Sequence, residues 1–252
     1  MSWASKRRTA YFGTAIFIVI TVAGILFFLI FNKEPTCEDD KKNGDEQGID
    51  CGGLCDKLCA TQVSAPIIIW SRSFKVSEGV YNSVAYVENP NFTASAPKIP
   101  YTFKIFDDNN ILIAERNGNT FISPDGISLI FEGAIITGNR IPARTFFEFS
   151  EAPIWTRTNG DKSSLSINNI KLSVADISPR VDAVLSNNSL LAARNIEVVA
   201  VVFDANDNAI GASATFVESI SDRSSQDIVF TWPNKFDQSV SRVEIIPRVN
   251  ME

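Results

Sequence analysis

The chain has 252 residues, a formal net charge of −6 and no histidine. The missing histidine excludes Ser-His and Cys-His nucleophile pairs and every histidine-containing metal site. The acidic balance, with no run of Lys and Arg beyond the first eight residues, argues against nucleic acid as a partner. The P-loop, zinc-protease and GxSxG patterns are also absent, so we predict that the protein is not an enzyme.

The N-terminal region predicts a membrane anchor. Residues 11–31 form an uncharged, largely apolar stretch, and a helix of that length matches the roughly 30 Å hydrocarbon core of a bilayer. Lys6, Arg7 and Arg8 precede it directly, so the positive-inside rule predicts a cytoplasmic tail at 1–10 and an external location for the rest. A cleaved signal peptide is the alternative, but the apolar run is longer than a typical signal core and 27–31 offers no small-residue cleavage site.

A short acidic segment, residues 32–60, contains all the cysteines of the chain: Cys37, Cys51, Cys55 and Cys59. An even number of clustered cysteines in an exported segment predicts two disulfides, although three connectivities are possible and a zinc site is the alternative.

Oxygen-bearing side chains in the same segment surround a glycine turn at the short spacing that Ca²⁺ prefers. An acidic, solvated stalk is the alternative interpretation, with Gly and Asn serving turns. No other cofactor is expected. The candidate calcium ligands are Asp39, Asn43, Asp45, Glu46 and Asp50.

The stretch from Thr36 to Cys55 resembles a Cys-rich surface motif of exported bacterial proteins, TC-x-D/N-x3-N-G-x-E-x-G-x-DCGG-x-C. The final gap, from Cys55 to Cys59, is three residues rather than the usual two. The resemblance implies a bacterial cell-surface setting and no activity.

Beyond Ala60, short apolar runs separated by turn residues predict two β domains, residues 61–157 and 163–250, on either side of a polar boundary at 156–164. Six or seven strands in about 90 residues are typical of a β-sandwich. The predicted strands are 67–73, 80–88, 99–107, 112–117, 118–122, 128–133, 146–149, 165–176, 180–186, 196–203, 209–217, 226–232 and 242–247.

The two halves overlay at an offset of 97 residues, which predicts an internal duplication. We expect Asn89 and Asn188 to bond local backbone where a strand ends, and Asp107 and Asp204 to start turns. The overlaid pairs are Val87 with Val184, Asn91 with Asn188, Phe106 with Phe203 and Asp107 with Asp204; the two Phe residues are expected in the core.

Two family resemblances agree on the fold. Residues 184–188, 198–204 and 208–211 of the second half are similar to the FxLYD-type domain, with Phe203 and Asp204 at its "yD" position and Asn208 in place of the usual glycine. Residues 87–91 of the first half resemble the "NPN" of late-embryogenesis-abundant (LEA) type 2, or water-stress, domains. Both resemblances imply Ig-like β-sandwiches. Together with the anchor and the cysteine pattern, the expected fold is all-β, with two tandem Ig-like β-sandwich domains behind a transmembrane helix and a short disulfide-bonded segment.

The predicted function is therefore a non-catalytic, single-pass cell-envelope protein that presents its β domains outside the membrane for protein contacts or structural support. A carbohydrate- or wall-binding module is the first alternative, with Trp70, Trp155 and Trp232 as a stacking platform. A tethered hydrolase with paired carboxylates is the second. Asn91 and Asn187 stand in N-glycosylation acceptor sequences.

Overall fold

The computed structural model describes residues 3–31, 34–124, 126–158, 164–173 and 178–249. The chain forms two compact units, residues 1–55 and residues 56–252. The first unit contains a long helix and most of the Cys-rich segment, and the second contains every described strand.

Helix α1 extends from Trp3 to Phe31, and none of its described side chains is buried. It begins before the predicted start at Tyr11, so residues 3–10 of the predicted basic tail belong to the same helix. Its stretch from Arg7 to Ile30 is long and apolar enough to cross a membrane. A signal sequence can have the same length and composition. The hydroxyls of Thr14 and Thr21 donate to helix carbonyls four residues earlier, at 2.9 Å, which satisfies them without water.

The predicted strands are found, most of them slightly longer than expected. One predicted boundary, between residues 117 and 118, was wrong, because residues 112–122 form a single strand. Gly118 lies within this strand and leaves space for the ring of Tyr101, which lies 2.6 Å from where a Cβ on Gly118 would stand. The predicted end of the strand at 165–176 falls outside the described residues. The strands are β1 (Ile67–Ser77), β2 (Val80–Asn89), β3 (Ala94–Phe106), β4 (Leu112–Ile122), β5 (Gly126–Ile136), β6 (Arg144–Phe149), β7 (Thr156–Arg157), β8 (Leu165–Ser173), β9 (Arg180–Asn187), β10 (Ala193–Phe203), β11 (Ala209–Ile220), β12 (Ser225–Thr231) and β13 (Arg242–Arg248).

Both halves of the second unit have the same sheet topology. The first half forms an antiparallel sheet β1-β2-β5 and a second sheet β4-β3-β6, in which the short β7 also pairs with β3. The second half forms β8-β9-β12 and β11-β10-β13. Strand for strand, these sheets have the same order and pairing, which is the arrangement that an internal duplication produces.

Each half has a core between its two sheets. In the first half Ala85 and Val87 of β2 face Phe103 of β3 and Phe147 of β6. A neighbouring cluster, which includes Ile99 and Trp155, closes one end. In the second half the equivalent cluster contains Leu185, Val198, Val202 and Phe230. Alternate residues of each strand enter these cores, as the period of two requires.

A third core lies between the two halves. Val84 and Leu129 on the outer face of sheet β1-β2-β5 pack with Val199, Val201 and Phe203 on the outer face of sheet β11-β10-β13. The four sheets are therefore stacked in layers, and each of the two inner sheets buries apolar residues on both faces. This explains the unbroken apolar run of residues 198–203 in β10, since a strand buried on both faces needs no polar alternation.

Polar contacts reinforce the interface between the halves. The buried guanidinium of Arg248, at the end of β13, donates to the carbonyl oxygens of Leu129 and Phe121 and to the hydroxyl of Thr120. Burial lowers the pKa of Arg248 from its ordinary value. The hydroxyl of Tyr86 donates to Glu244 at 2.8 Å.

Candidate functional site

The cysteines form disulfides, as the sequence predicts. Cys37 is bonded to Cys55, which selects among the three possible connectivities. Cys51 and Cys59 are disulfide-bonded as well, and no described cysteine is free. The thiols are therefore not available for the alternative zinc site.

The acidic residues near these cysteines bond backbone amides. Asp50 accepts hydrogen bonds from the amides of Asp39 and Asp40 at 3.0–3.1 Å, and Glu46 accepts from the amide of Asn43 at 3.2 Å. Asp39 accepts from the side-chain amide of Asn43 at 2.7 Å, while Asp45 is exposed. Among the described residues, one group of three acidic or cysteine side chains has its possible metal-ligand atoms within 4.8 Å of one another. The group is Cys37, Glu46 and Cys55, and its two sulfurs form the disulfide. The side-chain oxygen of Asn43 is buried and has no hydrogen-bond partner among the described residues. The calcium site stays a prediction.

The basic residues before the membrane-length stretch are in part described. Arg7 and Arg8 are exposed on α1, and the Arg7 guanidinium lies 4.3 Å from the ring centroid of Trp3. The side chain of Lys6 lies outside the described residues.

The predicted turn aspartates occupy equivalent hairpins. Asp107 accepts from the amides of Asn109 and Ile111, and Asp204 accepts from the amides of Asn206 and Asn208, all at 2.8–3.0 Å. The backbone bonds from Ile111 and Asn208 are the main cause that lowers the pKa of these two carboxyls below 3.8. Both carboxylates therefore close turns.

The predicted asparagine pair is partly wrong. Asn89 does bond local backbone, since its side chain donates to the carbonyls of Ala94 and Ser123. Its buried counterpart in the second half is Asn187, which donates to the carbonyls of Leu191 and Ser221. Asn188 is exposed and donates instead to the carbonyl of Ser164 at 3.0 Å. The overlay used a single offset of 97, whereas the two buried asparagines are 98 residues apart.

The acceptor sequences place their asparagines poorly for glycosylation. Asn187 is buried, and its side-chain nitrogen donates three hydrogen bonds. The side-chain nitrogen of Asn91 donates to Ser64 and Asn89. Attaching a sugar to either nitrogen would break these bonds.

The three tryptophans do not form an exposed platform. Trp155 and Trp232 are buried, at 5% and 7% exposure. Trp70 is half-buried between the halves, where it packs against Tyr86 and Phe203 at ring-centroid distances of 5.2 and 6.5 Å. A glycan cannot stack on rings that face the protein interior.

A cleft of about 1310 Å³ lies between the halves of the second unit. It follows β1 from Ser71 to Ser77, with residues 142–146 before and in β6 on one side and residues 208–212 and 231–238 of the second half on the other. β1 is the terminal strand of its sheet, so the cleft runs along a sheet edge.

The charges of this cleft differ from those of the whole chain. Arg72, Lys75, Arg144 and Lys235 line it, together with Glu78, Asp204 and Asp237. Of the three acids, Glu78 pairs with Lys75 and Asp204 closes its turn. The cleft is therefore more basic than a protein of net charge −6 would suggest.

The second half contributes an aromatic corner to the cleft, made of the buried Trp232 and the half-buried Phe236. Phe236 packs on Trp232 with ring centroids 5.4 Å apart, and its ring lies 2.6 Å from where a Cβ on Gly211 would stand. The indole nitrogen of Trp232 is buried and has no hydrogen-bond partner among the described residues. The corner is closely packed, and it contains one N–H donor, on the Trp232 indole, without a hydrogen-bond partner among the described residues.

Sequence reasoning missed Arg144, Lys235 and Phe236. A signal was available for the last two: the connection from β12 to β13 is longer than its counterpart from β5 to β6 in the first half. Unequal loops in a duplicated fold mark a segment that the fold itself does not require.

No protein-family model matches the chain, and no curated protein matches it. Among solved structures, a Bacteroides fragilis protein assigned as a β-galactosidase is 12% identical, with 70% of this chain and 33% of that chain covered and a TM-score of 0.22. A β-glucuronidase of glycoside hydrolase family 2 is 8% identical, with 86% and 29% covered and a TM-score of 0.22. The chain spans about a third of the length of these proteins, and no activity is transferred from them.

Proposed function

We propose that this protein is a non-catalytic, single-pass envelope protein whose two Ig-like β-sandwich domains lie outside the membrane and make protein contacts. Helix α1 carries the proposal, because no residue of its apolar stretch from Arg7 to Ile30 is buried in the folded chain. Such a surface is costly in water and favourable in a bilayer. The cytoplasmic N-terminus is inferred from the basic residues before the stretch.

The disulfides support an external location for the residues after the helix. Disulfides persist in oxidising compartments and are rare in the cytosol. The resemblance to the bacterial Cys-rich surface motif favours the same setting, and the FxLYD and LEA type 2 likenesses favour Ig-like sandwiches without a catalytic centre.

The packing of the second unit favours a rigid support over a flexible chain of domains. The halves share an apolar core and a buried Arg248, so they are expected to move together. The buried tryptophans favour protein over carbohydrate as the ligand class, because a stacking platform needs exposed rings.

Cysteine labelling in intact cells tests the topology. A membrane-impermeant thiol reagent should label the full chain only after treatment with an impermeant reductant. Labelling that requires cell lysis would place the cysteines inside and refute the proposed orientation. A processed N-terminus that begins after residue 31 would instead show that α1 is a cleaved signal.

A further inference from the structure

We propose that the cleft along β1 binds an extended, acidic polypeptide segment, which adds to the free edge of β1 as a further strand. This inference deepens the proposed function, since it names the class of protein partner and where it binds.

The backbone of β1 is suited to strand addition. Between two irregularities in its pairing with β2, residues 70–75 form a regular run, and β2 is the one strand paired with β1 in the described sheets. In such a terminal strand, the amides and carbonyls of alternate residues point away from the sheet and remain available to a partner. The hydrogen bond of 2.7 Å from Asn234 to the carbonyl of Val76 closes one end of this edge.

β6 and the second half form the two walls of the cleft beside β1. The hydroxyls of Ser71 and Ser73 bond the carbonyl and the hydroxyl of Thr145 in β6, each at 2.7 Å, without any backbone pairing between the two strands. On the other wall Arg72 donates to the carbonyl of Ala209 at 3.2 Å. An edge recessed in this way is protected from flat sheet-to-sheet aggregation but remains open to a single extended segment.

Charge selects an acidic segment. Arg144 and Lys235 stand on opposite walls of the cleft, and both are exposed and have no acidic partner among the described side chains. In a protein of net charge −6, two unpaired cations facing one cleft are complementary to carboxylates arriving from both sides. Apolar contact is available from Phe146, which is 53% exposed, and from Phe236.

A polypeptide fits these observations better than an anionic polysaccharide. A polyuronate could pair with the two cations, but it has no repeating amide to bond the backbone of β1. The absence of an exposed tryptophan face among the described residues of this unit removes the usual apolar contact for a sugar ring.

The test uses the full chain in nanodiscs and a fluorescent, N-acetylated octapeptide with the repeat Glu-Glu-Val-Val, which presents Glu on both faces of an extended strand. Binding is followed by anisotropy. We expect saturable binding that the Arg144→Glu, Lys235→Glu double variant weakens by roughly tenfold. The matched control is Arg116→Glu with Arg194→Glu, which makes the same charge change at exposed positions outside the cleft. This control should bind the peptide as the parent protein does.

Backbone pairing is tested by N-methylation of the same octapeptide. Methylation at every second residue leaves one edge of the peptide free and should spare binding, because only alternate amides of an added strand face β1. Methylation at every residue blocks both edges and should abolish binding. Equal binding of these two methylated peptides would overturn strand addition. The proposal is also refuted if the peptide does not bind, if both charge variants lose binding equally, or if oligomannuronate binds the cleft and the peptide does not. All of these results are independent of the topology found in cells, so the two proposals can fail separately.

Discussion

The guanidinium of Arg248 donates a hydrogen bond of 2.6 Å to the carbonyl oxygen of Leu129. This bond joins β13, the last strand of the second half, to β5 of the first half. Both groups are buried, and the Arg248 side chain also lies over the ring of Phe121. A buried charge is tolerated only where its hydrogen bonds are made, so this cation fixes the relative position of the two halves.

Replacing Arg248 should destabilise the whole unit. Arg248→Met removes three hydrogen bonds and leaves the carbonyls of Leu129 and Phe121 without this donor, so we expect a loss of about 2–4 kcal/mol in the free energy of unfolding. Urea unfolding of the full chain in nanodiscs measures it. The control Arg180→Met breaks an exposed pair with Asp182 and should cost far less, because solvent screens that pair. Equal losses would contradict a special role for the buried cation.

The two halves should respond alike at their buried asparagines. Asn89→Ala and Asn187→Ala each leave buried carbonyls unpaired, so each is expected to cost about 1–3 kcal/mol. Asn168→Ala, at an exposed site whose bonds are 3.3 Å long, serves as the control and should change stability by less than about 0.5 kcal/mol. If Asn187→Ala is neutral in urea unfolding while Asn89→Ala is not, the equivalence of the two positions fails.

Stability should decrease in acid partly because of the hairpin aspartates. The folded pKa values of Asp107 and Asp204 lie below 3.8, so their charged forms stabilise the fold above that pH and this contribution is lost as the pH falls through the folded values. The variant Asp107→Asn, Asp204→Asn should therefore show a shallower decline of melting temperature below about pH 4 than the parent protein.

The charge-matched control for this experiment carries Asp222→Asn and Asp227→Asn, both at exposed positions. Its melting temperature should follow the parental dependence on pH. A control that flattens the curve as strongly as the hairpin variant would show that net charge, and not the turns, causes the effect.

The Cys37–Cys55 bridge should order the segment between its ends. Replacing both cysteines by Ser releases a loop with a sequence separation of 18, for which chain entropy predicts a loss of about 3 kcal/mol. Limited trypsin digestion should then cut faster at Lys41 and Lys42, as followed by mass spectrometry of the full chain. The exposed substitution Leu54→Ser should leave the cutting rate unchanged; unchanged cutting in the Ser pair would mean that the bridge does not order the loop.

Local features were predictable because short-range patterns carry them. The membrane-length apolar run predicted α1, and alternation with turn residues predicted the strands and the hairpins at Asp107 and Asp204. The four clustered cysteines predicted disulfides but not their pairing, since pairing depends on the fold of the intervening loop. The acidic composition of the same segment could not show that backbone amides bond the carboxylates of Asp50 and Glu46, because those contacts depend on the local fold.

By itself, the sequence determined the apolar helix, the disulfide-bonded segment, and a duplicated set of strands. Only the tertiary structure decided that the two halves are stacked face to face, that Trp70 belongs to their interface, and that β1 has its edge in a cleft. The physical reason lies in β10: its unbroken apolar run shows that both faces are buried, but not what buries them. The covering sheet comes from a part of the chain far from β10 in sequence, and long-range packing selects it.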